Sequence, residues 1–182
     1  MTEVATPPVA ASRRRAAADA ATSAAVVLAA AASLAVFGAG ARAAVTAFFL
    51  GALIVLARID VERKILPNRI VLPAAALVAA SQLAFFPGQA VEWVLAPVLA
   101  FGLFLVVYLV YPSGIGLGDV KLMLLLGAGL GYAVFSALLA GSLLMLPAAL
   151  FLLARDGAEA RKRALPFGPF LAAGAVLIAF FA

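Results

Sequence analysis

Seven long apolar stretches follow one another along the chain, separated by short polar segments. A helix that crosses the hydrocarbon core of a membrane needs about 20 mostly apolar residues. Stretches of this kind occupy residues 23–41, 43–58, 70–87, 91–111, 114–131, 133–154 and 165–182. The pattern therefore predicts an all-α, polytopic membrane bundle of about six to seven transmembrane helices, forming one membrane-embedded domain over 23–182. Residues 1–22, rich in Ala, Pro and Arg, are predicted to be a mobile arm.

The fifth stretch differs from the others because glycines precede a short apolar run. Gly114, Gly116 and Gly118 come just before the run that ends at Leu130. Glycine has no side chain, tolerates unusual backbone angles and lets another chain come close. We therefore expect a short helix preceded by unwound backbone, which a membrane protein tolerates only where protein or a wet cavity surrounds it.

The composition leaves few kinds of chemistry available. Of the 182 residues, 67% are hydrophobic and 12% charged, with a mean hydropathy of +1.20, which excludes a water-soluble fold because soluble domains average about 45–50% apolar residues. The chain has no cysteine and no histidine. Disulfides, thiol nucleophiles, a Cys/His zinc site and imidazole bases are therefore excluded. Any catalysis must use carboxylates, lysines, hydroxyls or the backbone.

Basic residues gather on one side of the predicted topology. With a cytoplasmic N-terminus, the stretches 1–22, 58–69, 112–121 and 155–164 face the cytoplasm and hold twelve of the thirteen Lys and Arg residues, with Arg42 as the exception. Because basic loops remain inside, the pattern predicts a multi-pass membrane protein with a cytoplasmic N-terminus. The net charge of +5 does not indicate nucleic-acid binding, because no basic face with interleaved aromatic residues occurs.

The first apolar stretch has a second interpretation, as a cleavable signal peptide. Arg13–Arg15 precede an apolar run and a small-residue segment at 39–43, which is the order of such a peptide. We favour a retained span, because the chain re-enters the membrane at once and has no soluble domain to export. Cleavage would leave the remaining topology unchanged.

Seven of the eight acidic residues divide into two groups, and the eighth, Glu62, is an alternative to Asp60. Ionisable groups at membrane depth are costly and rare, so each acid near a span is a functional candidate. Five of the eight acids are expected to be solvated or to balance nearby basic residues: Glu3, Asp19, Glu92, Asp156 and Glu159. Asp60 and Asp119 instead follow apolar or glycine-rich segments at the inner ends of the second and fifth spans. The topology therefore places both carboxylates at one depth, near the cytoplasmic face.

Two such carboxylates can hydrolyse a peptide bond without histidine. Acids at contact distance share one proton, so the ionised member takes a proton from water while the protonated member hydrogen-bonds the scissile carbonyl. Two alternatives remain open from position alone. Asp60 and Asp119 could instead pair with Lys64 and Lys121, and Glu62 could replace Asp60, although only one of these two acids can face Asp119.

Irregular backbone is predicted at the same depth in three places. Gly116 and Gly118 precede Asp119, and Pro67-Asn68 break the helix that carries Asp60. The segment from Pro166 to Phe170 opens the last span with two prolines and a glycine. It is expected either to be an ordinary helix start or to offer unpaired amides and carbonyls to a peptide.

At these residues the sequence resembles the type IV prepilin peptidase family, membrane aspartyl proteases with a GxGD motif. The three matching segments are Asp60 followed by Lys64-Ile65-Leu66-Pro67-Asn68, then Gly116-Leu117-Gly118-Asp119-Val120-Lys121-Leu122, then Leu165-Pro166-Phe167-Gly168-Pro169-Phe170. The family has Ile-Pro-Asn or Ile-Pro-Asp, GxGDxKL and Pro-Phe-Gly-Pro at the corresponding places. All three occur in order, each at a predicted inner span end, over roughly residues 45–182.

The resemblance implies roles for particular residues. Asp60 and Asp119 would be the catalytic pair, without a metal or cofactor. The residues that would bind substrate or shape the site are Gly116, Gly118, Pro67, Asn68, Lys121, Pro166, Gly168 and Pro169. The substrate would be a prepilin or pseudopilin precursor, cut on the cytoplasmic side between a short basic leader and an apolar helix. The resemblance also implies that the protein lies in the bacterial cytoplasmic (inner) membrane.

The sequence also departs from the longer family members. Those carry paired zinc-binding cysteines in a cytoplasmic region and methylate the new N-terminus, whereas this chain has no cysteine. It is similar to the compact form of the tight-adherence (Flp) pilus systems, and methyl transfer is not expected.

Two other functions are weighed against this one. A presenilin-like or signal-peptide-peptidase-like protease shares GxGD, but its first acid lies deep in a helix after a tyrosine, whereas Ile59 precedes Asp60 beside a charged loop. A proton-coupled transporter could use the same acids as proton carriers. Transporters often contain two similar halves, and no convincing internal repeat is found here.

Overall fold

The chain folds into an all-α bundle. The structure, a computed structural model, describes residues 9–112, 114–157 and 167–181, with side chains from Arg15 onward, and within these ranges it contains helices and no strand. The α-helices are α1 (Val9–Phe37), α2 (Ala41–Arg63), α3 (Asn68–Phe85), α4 (Ala90–Val110), α5 (Leu117–Leu130), α6 (Val134–Asp156) and α7 (Gly168–Phe181). Single 3-10 turns, Pro87–Gln89 and Gly131–Ala133, precede α4 and α6. The predicted polytopic helical bundle is confirmed, and each predicted span corresponds to one helix.

The helices differ in their ability to cross a membrane alone. Five stretches of the described chain are long and apolar enough: Arg15–Phe37, Ala41–Arg63, Asn68–Phe85, Pro87–Val110 and Leu117–Asp156, the last of which includes α5 and α6. Helix α5 has only 14 residues, which is about 21 Å of helix against a hydrocarbon thickness of about 30 Å. The predicted short fifth helix is therefore confirmed. Its side chains supply much of the core, including Leu122, Met123, Leu125 and Leu126.

The helices alternate in direction, so their ends meet in two groups. At the first, which we call the Asp60 end, the last turn of α2 meets the starts of α3, α5 and α7. Two hydrogen bonds join these helix ends. Lys121 Nζ of α5 donates to Asn68 Oδ1 of α3 at 3.0 Å, and the Gly168 N–H of α7 donates to Asp60 Oδ2 of α2 at 3.1 Å.

The second group, which we call the Arg42 end, lies at the other side of the bundle. The Phe37 ring at the end of α1 stacks on Phe180 near the end of α7, with centroids 6.3 Å apart. The Arg42 guanidinium in the first turn of α2 lies 5.6 Å from the ring centroid of Phe86, just after α3. Helices α2, α3 and α7, which have contacts in both groups, therefore run from the Asp60 end to the Arg42 end or in the opposite direction.

Helix α1 begins at Val9, inside the range 1–22 that is predicted to be a mobile arm. Residues 1–8 lie outside the described chain, and the domain division at residue 22 stays a prediction. Asp19, expected to be a solvated acid of that arm, forms an ion pair with Arg58 of α2. Arg58 also donates to Thr22 Oγ1 at 3.2 Å. These contacts tie α1 to α2 near the Asp60 end.

Glycines allow the closest approaches between helices. A Cβ built on Gly127 of α5 would lie 2.3 Å from Pro97 Cα of α4, and one on Gly174 of α7 would lie 2.5 Å from the Ala137 carbonyl oxygen of α6. The obstructing atoms are backbone atoms of the neighbouring helix, which cannot rotate away. The small residues thus set the distance between α4 and α5 and between α6 and α7, as is typical of membrane bundles.

We expect Gly127→Ala to destabilise the protein by about 1–3 kcal/mol, because the added methyl group forces α4 and α5 apart. The control is Gly102→Ala, since a Cβ at this helical position meets nothing within 4 Å. Reversible unfolding of the purified protein in mixed micelles measures both variants. Equal stability of the two would show that this helix pair is not held at its observed distance by Gly127.

Candidate active site

Asp60 lies in the last turn of α2 because the helix is stopped just after it. Lys64 adopts a left-handed conformation (φ 52°, ψ 36°), and its N–H donates to the Asp60 carbonyl oxygen at 2.7 Å. Pro67 then precedes α3 with extended angles (φ −71°, ψ 123°). Since proline cannot donate a backbone hydrogen bond, it cannot continue the first helix. Residues 64–67 thus form a short loop beside Asp60, as the sequence predicts.

Asp119 lies in the first turn of α5, where its N–H donates to the Gly116 carbonyl oxygen at 3.0 Å. The unwound backbone predicted before this helix is confirmed, because α5 begins only at Leu117. Unusual angles at Gly116 are not observed: φ −78° and ψ 145° are open to any residue. A Cβ on Gly118, however, would lie 3.0 Å from Leu66 Cβ. Gly118 therefore serves close packing of α5 against the 64–67 loop.

The two aspartates line one cavity of about 430 Å³ at the Asp60 end. Asp60 is buried, with 7% of its surface exposed, and Asp119 is half-buried. The cavity is lined by Asp60, Lys64, Ile65, Leu66, Pro67, Asn68, Gly116, Leu117, Gly118, Asp119 and Lys121. Three apolar wall residues, Ile65, Leu66 and Leu117, are not among the site residues predicted from the sequence, although all lie within the three motif segments.

The start of α7 reaches the same carboxylate from another direction. The Gly168 N–H donates to Asp60 Oδ2 at 3.1 Å, inside the protein. The N–H groups of Phe170 and Leu171 both donate to the Phe167 carbonyl oxygen at 3.1 Å. Of the two interpretations of the segment from Pro166 to Phe170, the ordinary helix start agrees with these bonds, because the N–H groups of Gly168 and Phe170 are both paired. The Gly168 amide orients Asp60.

An aromatic pair holds this segment in place. The ring of Phe167, directly before α7, stacks on Phe104 of α4 with centroids 6.5 Å apart and planes 14° apart. Stacked or offset ring pairs add roughly 0.5–1.5 kcal/mol beyond their buried area. Helix α4 thereby supports the Gly168 amide, although it contributes no residue to the lining of the cavity.

The remaining predicted residues fall into different places. Lys121 and Asn68 line the cavity and hydrogen-bond each other across α5 and α3. Pro169 lies in the first turn of α7 and does not line the cavity. Pro166 lies outside the described residues. Glu62 is exposed and accepts a hydrogen bond from Arg58 Nε at 2.9 Å, so it is not the acid that shares the cavity with Asp119.

No three potential metal ligands come together among the described side chains. The cavity therefore offers two carboxylates, two lysines and an asparagine amide, between apolar walls and glycine backbone. This set of groups is suited to proton transfer and to hydrogen bonding of a peptide carbonyl.

The fold and the cavity define a polytopic α-helical membrane protein with a paired-carboxylate site at one end of its bundle. The chain belongs to the type IV leader peptidase family, whose profile matches residues 47–150 and so includes both aspartates. The family predicted from the three motifs is confirmed.

A curated relative agrees with this family. The chain is 31% identical over 134 residues to the prepilin leader peptidase/N-methyltransferase of Bacillus subtilis (strain 168). The match covers 71% of this chain and 52% of the relative. The chain therefore spans about half the length of the curated relative it matches. No solved structure matches the chain.

Proposed function

We propose that the chain is a membrane aspartic endopeptidase that removes the basic leader from type IV prepilin, Flp-type pilin or pseudopilin precursors. The observation that carries the proposal is that Asp60 of α2 and Asp119 of α5 line one cavity in a member of the type IV leader peptidase family. The proposal covers hydrolysis and not methyl transfer, because the motifs that match are those of the peptidase.

The mechanism uses the two carboxylates as an acid and a base. One aspartate, ionised, takes a proton from a water molecule that attacks the scissile carbonyl carbon. The other, protonated, donates a hydrogen bond to the carbonyl oxygen, whose negative charge grows in the transition state. The tetrahedral intermediate then collapses. The leaving nitrogen takes the proton that the first aspartate received from water, the carbonyl double bond re-forms, and the C–N bond breaks.

The position of the cavity suits a substrate with a polar leader and an apolar helix. Asp60 and Asp119 lie beside helix ends rather than at the middle of the bundle. The basic residues near that end, among them Arg63, Lys64 and Arg69, support a position at the cytoplasmic face by the positive-inside rule. A precursor helix could therefore remain in the bilayer while its leader junction enters the cavity.

The test is to reconstitute the purified chain in liposomes with a precursor that carries a basic leader and an apolar helix, and to map the product N-terminus by mass spectrometry. We expect one cut, at the junction between leader and helix. A cut inside the apolar helix would favour a presenilin-like protease. Flux of a solute without any cleavage would favour a transporter. Either result would contradict the proposal.

A further inference from the structure

A second cavity, of about 310 Å³, lies at the Arg42 end of the bundle. Its polar lining residues are Arg42, Thr46, Gln82, Gln89, Glu92 and Trp93. Arg42 and Asp60 lie on the same helix α2, about 27 Å apart along its axis at about 1.5 Å of rise per residue. This cavity is therefore separate from the candidate active site. The charge pattern places it on the side of the membrane away from the cytoplasm.

Arg42 provides a fixed cation in this cavity. Its guanidinium carbon lies 5.9 Å from the ring centroid of Phe37 and 5.6 Å from that of Phe86, so two aromatic rings hold it. Arginine carries five N–H donors, and none of the ion pairs among the described residues uses Arg42. The residue is also the single Lys or Arg outside the predicted cytoplasmic stretches. Its donors are available to a ligand with an oxyanion.

Glu92 provides a fixed anion in the same cavity. Its Oε1 accepts the Tyr132 N–H at 2.9 Å. Gly131, with a positive φ of 59°, lies so close that a Cβ there would be 2.1 Å from the same oxygen. The carboxylate is thus anchored to the turn between α5 and α6. The expectation that Glu92 is simply solvated is incomplete, because a backbone donor and a cavity position it.

Two buried polar side chains complete the lining. Gln82 is 7% exposed and Trp93 is 8% exposed. The Trp93 Nε1–H is buried and has no acceptor within the described chain. A buried donor without a partner costs free energy until an acceptor arrives. A cavity for a hydrocarbon chain alone would not need these groups.

We propose that this cavity binds the headgroup of a zwitterionic phospholipid with a primary amine, a phosphoethanolamine group, with the phosphate on Arg42 and the ammonium on Glu92. A purely anionic ligand would be repelled by Glu92, and a purely cationic ligand would be repelled by Arg42. A zwitterion has one charge that complements each residue. The volume is at the lower limit of ligand cavities, which span about 300–1,000 Å³, and suits a headgroup rather than a larger solute. The exposed Phe85 and Val91 nearby supply apolar surface for the acyl chains.

The test measures lipid binding by the full chain in a non-ionic detergent, after its co-purified lipid has been removed. Phosphatidylethanolamine, phosphatidylcholine and phosphatidylglycerol are compared by the shift in melting temperature and by native mass spectrometry. We expect phosphatidylethanolamine to bind about tenfold or more tightly than the other two, because its ammonium donates a charge-assisted hydrogen bond to Glu92. The trimethylated amine of phosphatidylcholine cannot donate to Glu92, and phosphatidylglycerol carries no cation.

Substitutions of the two charged residues test whether the lipid binds in this cavity. Arg42→Gln is expected to weaken phosphatidylethanolamine binding about tenfold, and Glu92→Gln is expected to remove the preference for that lipid over phosphatidylglycerol. The matched control is Arg63→Gln, which removes an exposed charge from the other end of the same helix. If Arg42→Gln does not fold, Arg42→Lys keeps the charge, removes the planar donor pair, and is expected to bind more weakly than the wild type.

Several results would overturn the proposal. They are equal binding of the three lipids, unchanged binding by the Arg42 variants, or an equal loss in Arg63→Gln. Soluble glycerophosphoethanolamine separates a lipid from a free solute. Competition only at a large molar excess supports the lipid, whereas binding as tight as that of the lipid would assign the cavity to a soluble ligand. Peptidase activity is not a readout, so the result is independent of the proposed function.

Discussion

Asp60→Asn and Asp119→Asn are each expected to lower the rate of precursor cleavage by about 10²–10⁴-fold, the usual contribution of a general acid or base. Asparagine keeps the shape of the side chain but can neither take a proton from water nor hold one for the carbonyl oxygen. Because the two groups act as one unit, the double variant is expected to be about as slow as the slower single variant. Initial rates of leader release by the reconstituted protein measure all three.

Glu62→Gln is the matched control for these variants. Glu62 lies two residues from Asp60, but it is exposed and paired with Arg58. We expect its cleavage rate to remain close to that of the wild type. Full processing of the precursor by both single aspartate variants would contradict the assignment of the catalytic pair. If Glu62→Gln lowers the cleavage rate as much as Asp60→Asn does, Asp60 cannot be distinguished from Glu62 as the catalytic acid.

The choice of the two aspartates could be made from the sequence because of where the apolar runs end. Helix ends and short loops leave local signals such as Pro67 and Gly116, and these correctly predict the loop beside Asp60 and the late start of α5. Span boundaries place both acids at one depth. The depth of a residue along its helix can therefore be predicted from hydropathy. The cavity that Asp60 and Asp119 share agrees with the depth predicted for them.

Contacts between distant segments could not be predicted in the same way. The pairing of Gly168 with Asp60 joins residues 108 positions apart, and it depends on how α7 docks against α2 and on the Phe104–Phe167 stack. The ion pair of Asp19 with Arg58 likewise depends on α1 packing along α2. Hydropathy assigns each helix to the membrane but does not specify which faces meet.

The purpose of the motif glycines also required the structure. A glycine before an acid suggests either unusual backbone angles or the close approach of another segment, and Gly116 has ordinary angles. Gly118 and Gly168 instead allow atoms of other segments to approach, Leu66 in one case and the Asp60 carboxylate in the other. The sequence shows that these two positions have no side chain, whereas the structure shows which neighbouring atoms occupy the space.

Gly168→Ala is expected to lower the cleavage rate by roughly 10–100-fold, which corresponds to about 1.4–2.8 kcal/mol, because the hydrogen bond that orients the Asp60 carboxyl group is lost. A Cβ at this position would lie 2.7 Å from Asp60 Oδ2 and 3.2 Å from its Cγ. Either Asp60 must rotate or the start of α7 must withdraw, and both changes break the 3.1 Å hydrogen bond. Because Gly168 orients the carboxylate rather than lining the cavity, we expect kcat to fall while KM changes little.

The control for this variant is Gly40→Ala at the other end of the bundle, where a Cβ meets nothing within 4 Å. It adds the same methyl group without touching the site, so its kcat is expected to match that of the wild type. Melting temperatures of both variants separate a local effect from unfolding. If Gly168→Ala cleaves as fast as the wild type while Asp60→Asn is inactive, then the Gly168 amide does not position Asp60 during the reaction.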